Sequence, residues 1–420
     1  MPSFQTTPGT RDILPPDAAR WRAFVDKFAS VVSLAGFQHI VVPMFEDLGV
    51  FQRLGDATDV VTKEMYDFVD KGGRHVALRP EQTAGVCRSF AQHRPTAPWK
   101  VWYGGPNFRY ERAQHGRYRQ FDQVGVEALG SDDPLLDVEV IALAVEFFYE
   151  LGLRNVVLNI NSLGDSGDRS RYVDALAQYF QSHIAELSSE SVATLQRNPL
   201  RVLDSKRENE QAVVAQAPSI SGYLSDEAAS HFAQVKQGLD ALGISYVVNE
   251  RLVRGLDYYC RTTFEFQSTA LESAQTAVGG GGRYDGLVED LGGPATPGIG
   301  FAIGLDRTLL ACDAEQVFVH PSTQADVFII DTTGGMQALQ LCQQFRSAGL
   351  ASERTYGARA MKAQMKAADK SGASFAVIIG TDELTQGVAT VKSMVDGHQE
   401  EIPLESVVQH VATQLGKVIS

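Results

Sequence analysis

Residues 103–127 read YGGPNFRYERAQHGRYRQFDQVGVE. Two strand-like runs, 100–110 and 118–129, flank a polar turn rich in arginine, which predicts a long β-hairpin. Alternate residues of a strand share a face, so Gln123, Gly125 and Glu127 point one way and Val124 and Val126 the other. On the outgoing strand Asn107 and Arg109 share a face in the same manner. Arg109, Arg112, Arg117 and Arg119 crowd the hairpin and its turn. A sheet face that carries arginine, glutamine and glutamate is not an ordinary apolar core. Guanidinium forks grip phosphate through paired hydrogen bonds, so one purpose for this face is to hold a nucleotide over the sheet. The alternative is a solvated hairpin laced by salt bridges.

Outward from the hairpin, further strand-like segments occur at 74–78, 156–160, 262–266 and 298–303. Several are joined by loops too short for a helical crossover, which favours a mixed, largely antiparallel sheet. Helical spacing of Trp21, Phe24, Val25, Phe28, Val31 and Val32 predicts a helix capped by Asp17 and ended by Gly36. Residues 40–42 then read as a short buried strand stopped by Pro43. A second helix is predicted over about 134–151, capped by Asp132 or Asp133 and closed by Gly152. Between about 165 and 242 polar helical stretches replace strands, which predicts a helical insertion. After the polar turn near 319–324 a new α/β pattern begins, with strands at ADVFIID and FAVIIG and helices at 336–348 and 359–371. The expected division is a domain over 1–322 and a smaller one over 326–420.

The chain has 420 residues, 44% of them hydrophobic, enough to bury the cores of two or three domains. A formal charge of -14 argues against a basic protein that coats RNA, although a local basic patch remains compatible with an RNA partner. Cys87, Cys260, Cys312 and Cys342 form no CxxC pair, which fits free thiols in a reducing compartment. The histidines show no HExxH-like spacing, so no protein metal site is expected. The opening MPSFQTTPGTRDILPPD lacks the apolar stretch of a signal peptide, and no apolar run approaches membrane-spanning length. A cytoplasmic protein is expected.

Three more segments carry candidate chemistry. RGLDYY (254–259) brings an arginine and two tyrosines to the start of a strand. VGGGGRYD (278–285) lacks the lysine of a phosphate loop and suits a glycine floor on which a small substrate lies close to the backbone. GIGFAIGLDR (298–307) is a strand–helix junction, except that Arg307 is electrostatically unfavourable so near a helix start.

Together these residues resemble the three ordered motifs of class II aminoacyl-tRNA synthetases: the segment ending at Pro43, FRYER in its hairpin, and GIGFAIGLDR. LRPEQT (78–83), LVRGLDYY (252–259) and GGGGRYDGL resemble segments peculiar to histidyl-tRNA synthetases. GDATDVVTKEMYDF, NINSLGD and NPLRVLDSK add matches elsewhere, so the resemblance spans nearly the whole chain. It implies an α+β fold with a mostly antiparallel sheet flanked by helices and a C-terminal α/β anticodon-binding domain. The implied activity is formation of histidyl-adenylate and pyrophosphate from L-histidine and ATP with Mg²⁺, then transfer to the 3′ end of tRNA(His). The first motif also implies a homodimer.

The resemblance gives each residue a role. Arg109 is similar to the arginine that grips the ATP α-phosphate, and Arg117 to the loop arginine that reaches the γ-phosphate. Glu111 matches an acid of the second motif, and Arg307 the arginine that lies against the bent ATP. Arg254 matches a catalytic arginine contacting both the substrate carboxylate and the α-phosphate. Glu81, Thr83 and Gln123 resemble residues that hold the α-amino end. Glu127 and Tyr259 resemble the pair that meets the imidazole nitrogens, with Tyr258 nearby. Candidates for tRNA contact are Arg112, Gln114 and Arg119 at the hairpin, and Arg359, Lys362 and Lys366, which with Lys370 would give a tail helix one basic face.

The departures are modest. Ala113 stands where many relatives have proline, His115 where lysine is common, and Cys260 varies a polar position. A catalytically silent paralogue, such as a regulatory subunit of ATP phosphoribosyltransferase, is the main rival reading. Such relatives usually lack the anticodon-binding domain and lose catalytic residues, whereas here the tail, Arg109, Arg254 and Arg307 are present. A non-enzymatic RNA sensor would have no use for an intact histidine pocket. Neither HIGH nor KMSKS, the marks of class I synthetases, occurs in the sequence.

Overall fold

The computed structural model describes residues 4–52, 61, 63–112, 116–205, 207–252, 258–272, 276–319, 325–357 and 359–417. The chain divides into two compact units, Met1–His320 and Pro321–Ser420.

The first unit contains strands β1 (Gln38–His39), β2 (Phe45–Asp47), β3 (Asp67–Val69), β4 (His75–Leu78), β5 (Trp99–Phe108), β6 (Gln120–Leu129), β7 (Val156–Ser162), β8 (Val247–Val248), β9 (Cys260–Ser268), β10 (Ala277–Arg283) and β11 (Gly298–Gly304). Its helices are α1 (Asp17–Leu34), α2 (Leu48–Gln52), α3 (Thr83–His93), α4 (Pro134–Glu150), α5 (Ser166–Ser182), α6 (Ser189–Arg197), α7 (Gln211–Gln216), α8 (Asp226–Ala241), α9 (Leu287–Asp290) and α10 (Leu305–Glu315).

Among the described residues the main sheet has the order β1-β5-β6-β11-β10-β9-β7-β8. Its interior pairs are antiparallel, and only the short edge strands β1 and β8 pair in parallel. A separate three-stranded sheet has the order β2-β4-β3.

The two faces of the main sheet differ as the alternation demands. Val124, Val126, Phe264, Phe266, Phe301 and Ile303 join a core built with Phe24, Phe28 and Val32 of α1, Ile141 and Phe147 of α4, and Val235 and Leu239 of α8. The opposite face carries Gln123, Gly125 and Glu127, whose partners on β11 are Gly304, Ala302 and Gly300. Those small residues leave open space above the strands. At Gly300 no larger residue fits, because a Cβ there would collide with the Glu127 carboxylate.

Helix α4 begins as its sequence suggests, with Pro134 in its first turn and Asp133 accepting a hydrogen bond from Leu135 N at 2.9 Å. Gly152 closes it with φ +87°. Three expectations need correction. Asp17 is the first helical residue after Pro16, and no side chain caps α1. The strand expected at 40–42 lies instead at Gln38–His39. Past it Val42 O accepts from Arg79 Nη1 at 2.8 Å, and Pro43 has no N–H to offer a ladder. The helical insertion is also narrower in packing terms than 165–242. A separate small core joins Tyr172, Leu176, Phe180, Leu195 and Ile220, whereas Phe232, Val235 and Leu239 of α8 belong to the main core.

The second unit holds β12 (Val327–Asp331), β13 (Ser352–Arg354), β14 (Phe375–Ile379), β15 (Val388–Ser393) and β16 (Gln399–Pro403), with α11 (Met336–Ser347), α12 (Met361–Ser371), α13 (Thr381–Gln386) and α14 (Val407–Gln414). The sheet order is β13-β12-β14-β15-β16, parallel around β12 and antiparallel beyond β14. Arg359 precedes α12, so the basic row on that helix consists of the exposed Lys362, Lys366 and Lys370, with Gln364 and Ala368 buried.

Candidate active site

Two cavities adjoin on the polar face of the main sheet. The larger, about 260 Å³, is lined by Arg109, Glu111, Arg117, Gln123, Glu265 and Arg307 among others. The smaller, about 70 Å³, is lined by Glu81, Thr83, Tyr103, Glu127, Tyr258, Tyr259 and Tyr284 among others. Arg109, Gln123, Gly280 and Ala302 line both, so they form the passage from one to the other.

Arg109 follows the last residue of β5 and is fixed from two sides. Its Nε donates to Pro80 O at 2.9 Å, and its guanidinium lies 5.2 Å from the centre of the Phe121 ring. Burial pulls its pKa below the ordinary guanidinium value. Arg307 sits in the first turn of α10, where its charge opposes the helix dipole. It is held there by donation from Nε to Gly116 O at 3.3 Å and from Nη1 to Ala277 O at 3.2 Å, which tie the hairpin turn to β10. Arg117 pairs with Glu111 across the hairpin.

In the smaller cavity Glu127 is 1% exposed and receives three hydroxyl donors. Thr83 Oγ1 reaches Oε1 at 2.6 Å, Tyr103 OH reaches the same oxygen at 3.0 Å, and Tyr284 OH donates to Oε2. Among the described residues no arginine pairs with it. Burial pushes its pKa up to about 8, with the Thr83 and Tyr284 hydroxyls pulling the other way. The rings of Tyr258 and Tyr259 are tilted against each other with centres 4.5 Å apart, and Tyr258 meets Tyr284 edge-on at 5.7 Å. The Glu81 carboxylate accepts from Thr83 N at 2.6 Å and Ala84 N at 2.9 Å, which caps α3 and anchors Thr83. Gln123 Oε1 accepts from Asn107 Nδ2 at 2.8 Å, which aims the carboxamide along the wall.

Of the residues expected at the site, the structure places Arg109, Glu111, Arg117 and Arg307 in one cavity, and Glu81, Thr83, Glu127, Tyr258 and Tyr259 in the other, with Gln123 between. Arg254 and Gln114 lie outside the described residues. Arg112 is exposed at the hairpin. Arg119 is half-buried, its guanidinium 3.8 Å from the Tyr110 ring centre and its Nε donating to Glu111 O at 3.2 Å. Tyr103 and Tyr284 were missed. The signal for Tyr103 is its place opposite Gly125, where only glycine leaves room for the ring. Tyr284 directly follows the glycine strand, in a motif singled out for its glycines alone.

The histidyl-tRNA synthetase family model matches residues 9–308. The chain belongs to the histidyl-tRNA synthetase family. Consistent with that family, the anticodon binding domain model matches residues 316–414. The histidine–tRNA ligase of Lysinibacillus sphaericus (strain C3-41) is 46% identical over 98% of this chain and 100% of its own length. That of Rhodococcus erythropolis (strain PR4 / NBRC 100887) is 48% identical, covering 97% of each. Among solved structures, apo histidyl-tRNA synthetase from S. aureus superposes with TM-score 0.83 at 37% identity, over 97% of this chain and 100% of that one. The α+β architecture is therefore the class II synthetase fold.

Proposed function

We infer that the chain is a ligase that activates L-histidine with ATP and transfers the histidyl group to the 3′ end of tRNA(His). The observation that carries this reading is the pairing of the caged Glu127 pocket with an arginine-lined cleft through one shared arginine, Arg109. The larger cavity takes ATP and the smaller takes the amino acid. Glu127 meets one imidazole nitrogen and Tyr259 the other, while Gln123, Thr83 and Glu81 face the α-amino end. A pocket built for two ring nitrogens leaves polar groups unpaired with any other side chain, which can reject competitors by ~10⁴–10⁵.

Activation is displacement at phosphorus. The histidine carboxylate oxygen attacks the α-phosphate, the bond to the bridging oxygen breaks, and pyrophosphate leaves. The nucleophile is already an anion, so no general base is required. What the protein supplies is alignment and positive charge at the α-phosphate. Arg109 stands at the passage between the cavities where the two anions must meet, and Arg254 is proposed as its counterpart. Arg307 and Arg117 take the outer phosphates, with Arg117 leaving Glu111 to do so. A terminal ribose hydroxyl of the tRNA then attacks the adenylate carbonyl and AMP departs.

Magnesium arrives with ATP. Among the described residues no group of three or more side chains forms a protein metal cage. The carboxylate of Glu265 in the cleft would help to hold such a hard cation. That cation supplies charge neutralisation at the phosphates.

Exposed apolar side chains at Val41, Met44, Phe45, Phe68 and Val69 support a second copy of the chain as partner, in keeping with the homodimer implied by the first motif. Among the described residues no helix is long and apolar enough to cross a membrane, and a cytoplasmic setting is proposed from the free cysteines. Arg112, Lys362 and Lys366 are exposed and are proposed for tRNA contact. Aminoacylation of tRNA(His) by the purified protein tests the reading, and failure to charge it with histidine would refute it.

A further inference from the structure

The cleft assigned to ATP is lined by two carboxylates that have no evident place there, Asp122 and Asp306. Burial and the nearness of Asp306 push the Asp122 carboxyl up to about 6. A site for a polyanion should not hold unbalanced negative charge. Arg79 acts on Asp122, and the cation that compensates Asp306 comes from the segment before α1. Arg11 Nη2 pairs with Asp306, and Nη1 donates to Tyr118 OH at 2.8 Å. Its guanidinium also lies 4.3 Å from the Tyr118 ring centre and 6.0 Å from that of Trp21.

Arg11 does not line the ATP cleft. It lines a neighbouring cavity of about 260 Å³ that shares Gly116, Tyr118 and Asp306 with the cleft. It therefore stands behind the wall from which Arg117 and Arg307, the chain neighbours of Tyr118 and Asp306, face the phosphates. The segment that carries Arg11 is itself stitched to the hairpin: Gly9 O accepts from Arg119 N at 2.8 Å and from Gln120 N at 3.2 Å. Gly9 has φ +84°, and any side chain there would meet that of Arg119, so the close approach requires glycine.

We propose that Arg11 is a positioning residue for the nucleotide: it neutralises Asp306 and holds Tyr118, and so sets the charge and shape of the ATP cleft without touching ATP. This rests on the placing of ATP in that cleft. Removing one partner of a half-buried pair leaves the other charge uncompensated, here a carboxylate facing the triphosphate.

The test is ATP–pyrophosphate exchange by the full chain, with ATP and histidine varied in turn. Arg11→Ala should raise the KM for ATP about tenfold and leave the KM for histidine within about twofold, with a melting temperature near wild type. Arg11→Gln, which keeps a donor for Tyr118 without the charge, should behave similarly, and Arg11→Lys should recover part of the loss. In an Asp306→Asn background the Arg11→Ala penalty should shrink to about twofold or less, because no charge is left to neutralise. An unchanged KM for ATP, equal drift of both KM values with a falling melting temperature, or the same penalty in both backgrounds would overturn the proposal. Arg307→Ala serves as the reference. If it raises the KM for ATP while Arg11→Ala does not, the role of Arg11 fails and the ATP site stands; if neither does, the placing of ATP fails with it.

Discussion

Thr83 Oγ1 donates to Glu127 Oε1 at 2.6 Å, joining the first residue of α3 to a carboxylate in the middle of β6. The bond closes one end of the small cavity, because Glu81 anchors the Thr83 backbone from the loop before the helix. The sequence distance between LRPEQT and QVGVE disappears at this contact, and the two segments line one cavity.

That surface makes Glu127→Gln diagnostic. The amide keeps the size of the side chain but cannot take up the charge proposed to pair with an imidazole N–H once histidine is bound. Loss of a charge-assisted hydrogen bond costs about 1.5–3 kcal/mol, so the KM for histidine should rise roughly 10- to 150-fold while the KM for ATP stays nearly constant. Pyrophosphate exchange with each substrate varied, alongside a melting curve, measures this. An unchanged histidine KM would sink the ring-recognition role.

The same residue predicts a pH effect on the free protein. Its pKa is raised from 4.5 to about 8, so folding favours the protonated form. A carboxyl raised in this way contributes stability that is fully present below 4.5 and is lost as pH rises through about 8. The melting temperature of wild type relative to Glu127→Gln should therefore fall steadily across that window. A difference that is flat with pH would contradict the assignment of the proton to Glu127.

Arg254→Ala should nearly abolish adenylate formation without unfolding the chain. Loss of a donor that acts on charge developing in the transition state typically costs ~10²–10³ in rate. Pyrophosphate exchange near the wild-type rate in a folded variant would remove Arg254 from the mechanism.

A fragment ending near 320 should still activate histidine but lose most aminoacylation of tRNA. The first unit carries both cavities and has its own core. Equal aminoacylation efficiency for fragment and full chain would rule out a tRNA role for the second unit.

Much of this site was legible in the sequence because strands have a strict period. The alternation in FDQVGVE separates Gln123, Gly125 and Glu127 from Val124 and Val126, as a period of two demands. The cap at Asp133 and the stop at Gly152 follow from local chemistry in the same way. What stayed hidden depends on contacts far apart in sequence. Tyr284 reaches Glu127 across 157 residues, and Arg11 reaches Asp306 across 295. Neither residue stands out by type or by neighbours. The end of β1 was misjudged for a similar reason, since the guanidinium that takes up Val42 O comes from Arg79, in another segment. Helix α8 shares the polar composition of the insertion, and only its buried stripe of Phe232, Val235 and Leu239 assigns it to the main core.

The small cavity is proposed to select histidine for reaction with ATP in the cleft beside it. ATP–pyrophosphate exchange by the wild-type chain, run with each of the common amino acids in turn, tests it most directly. Exchange is expected with L-histidine, with a drop of ~10⁴ or more in kcat/KM for every other amino acid. Exchange that does not depend on histidine, or that another amino acid supports equally well, would contradict it.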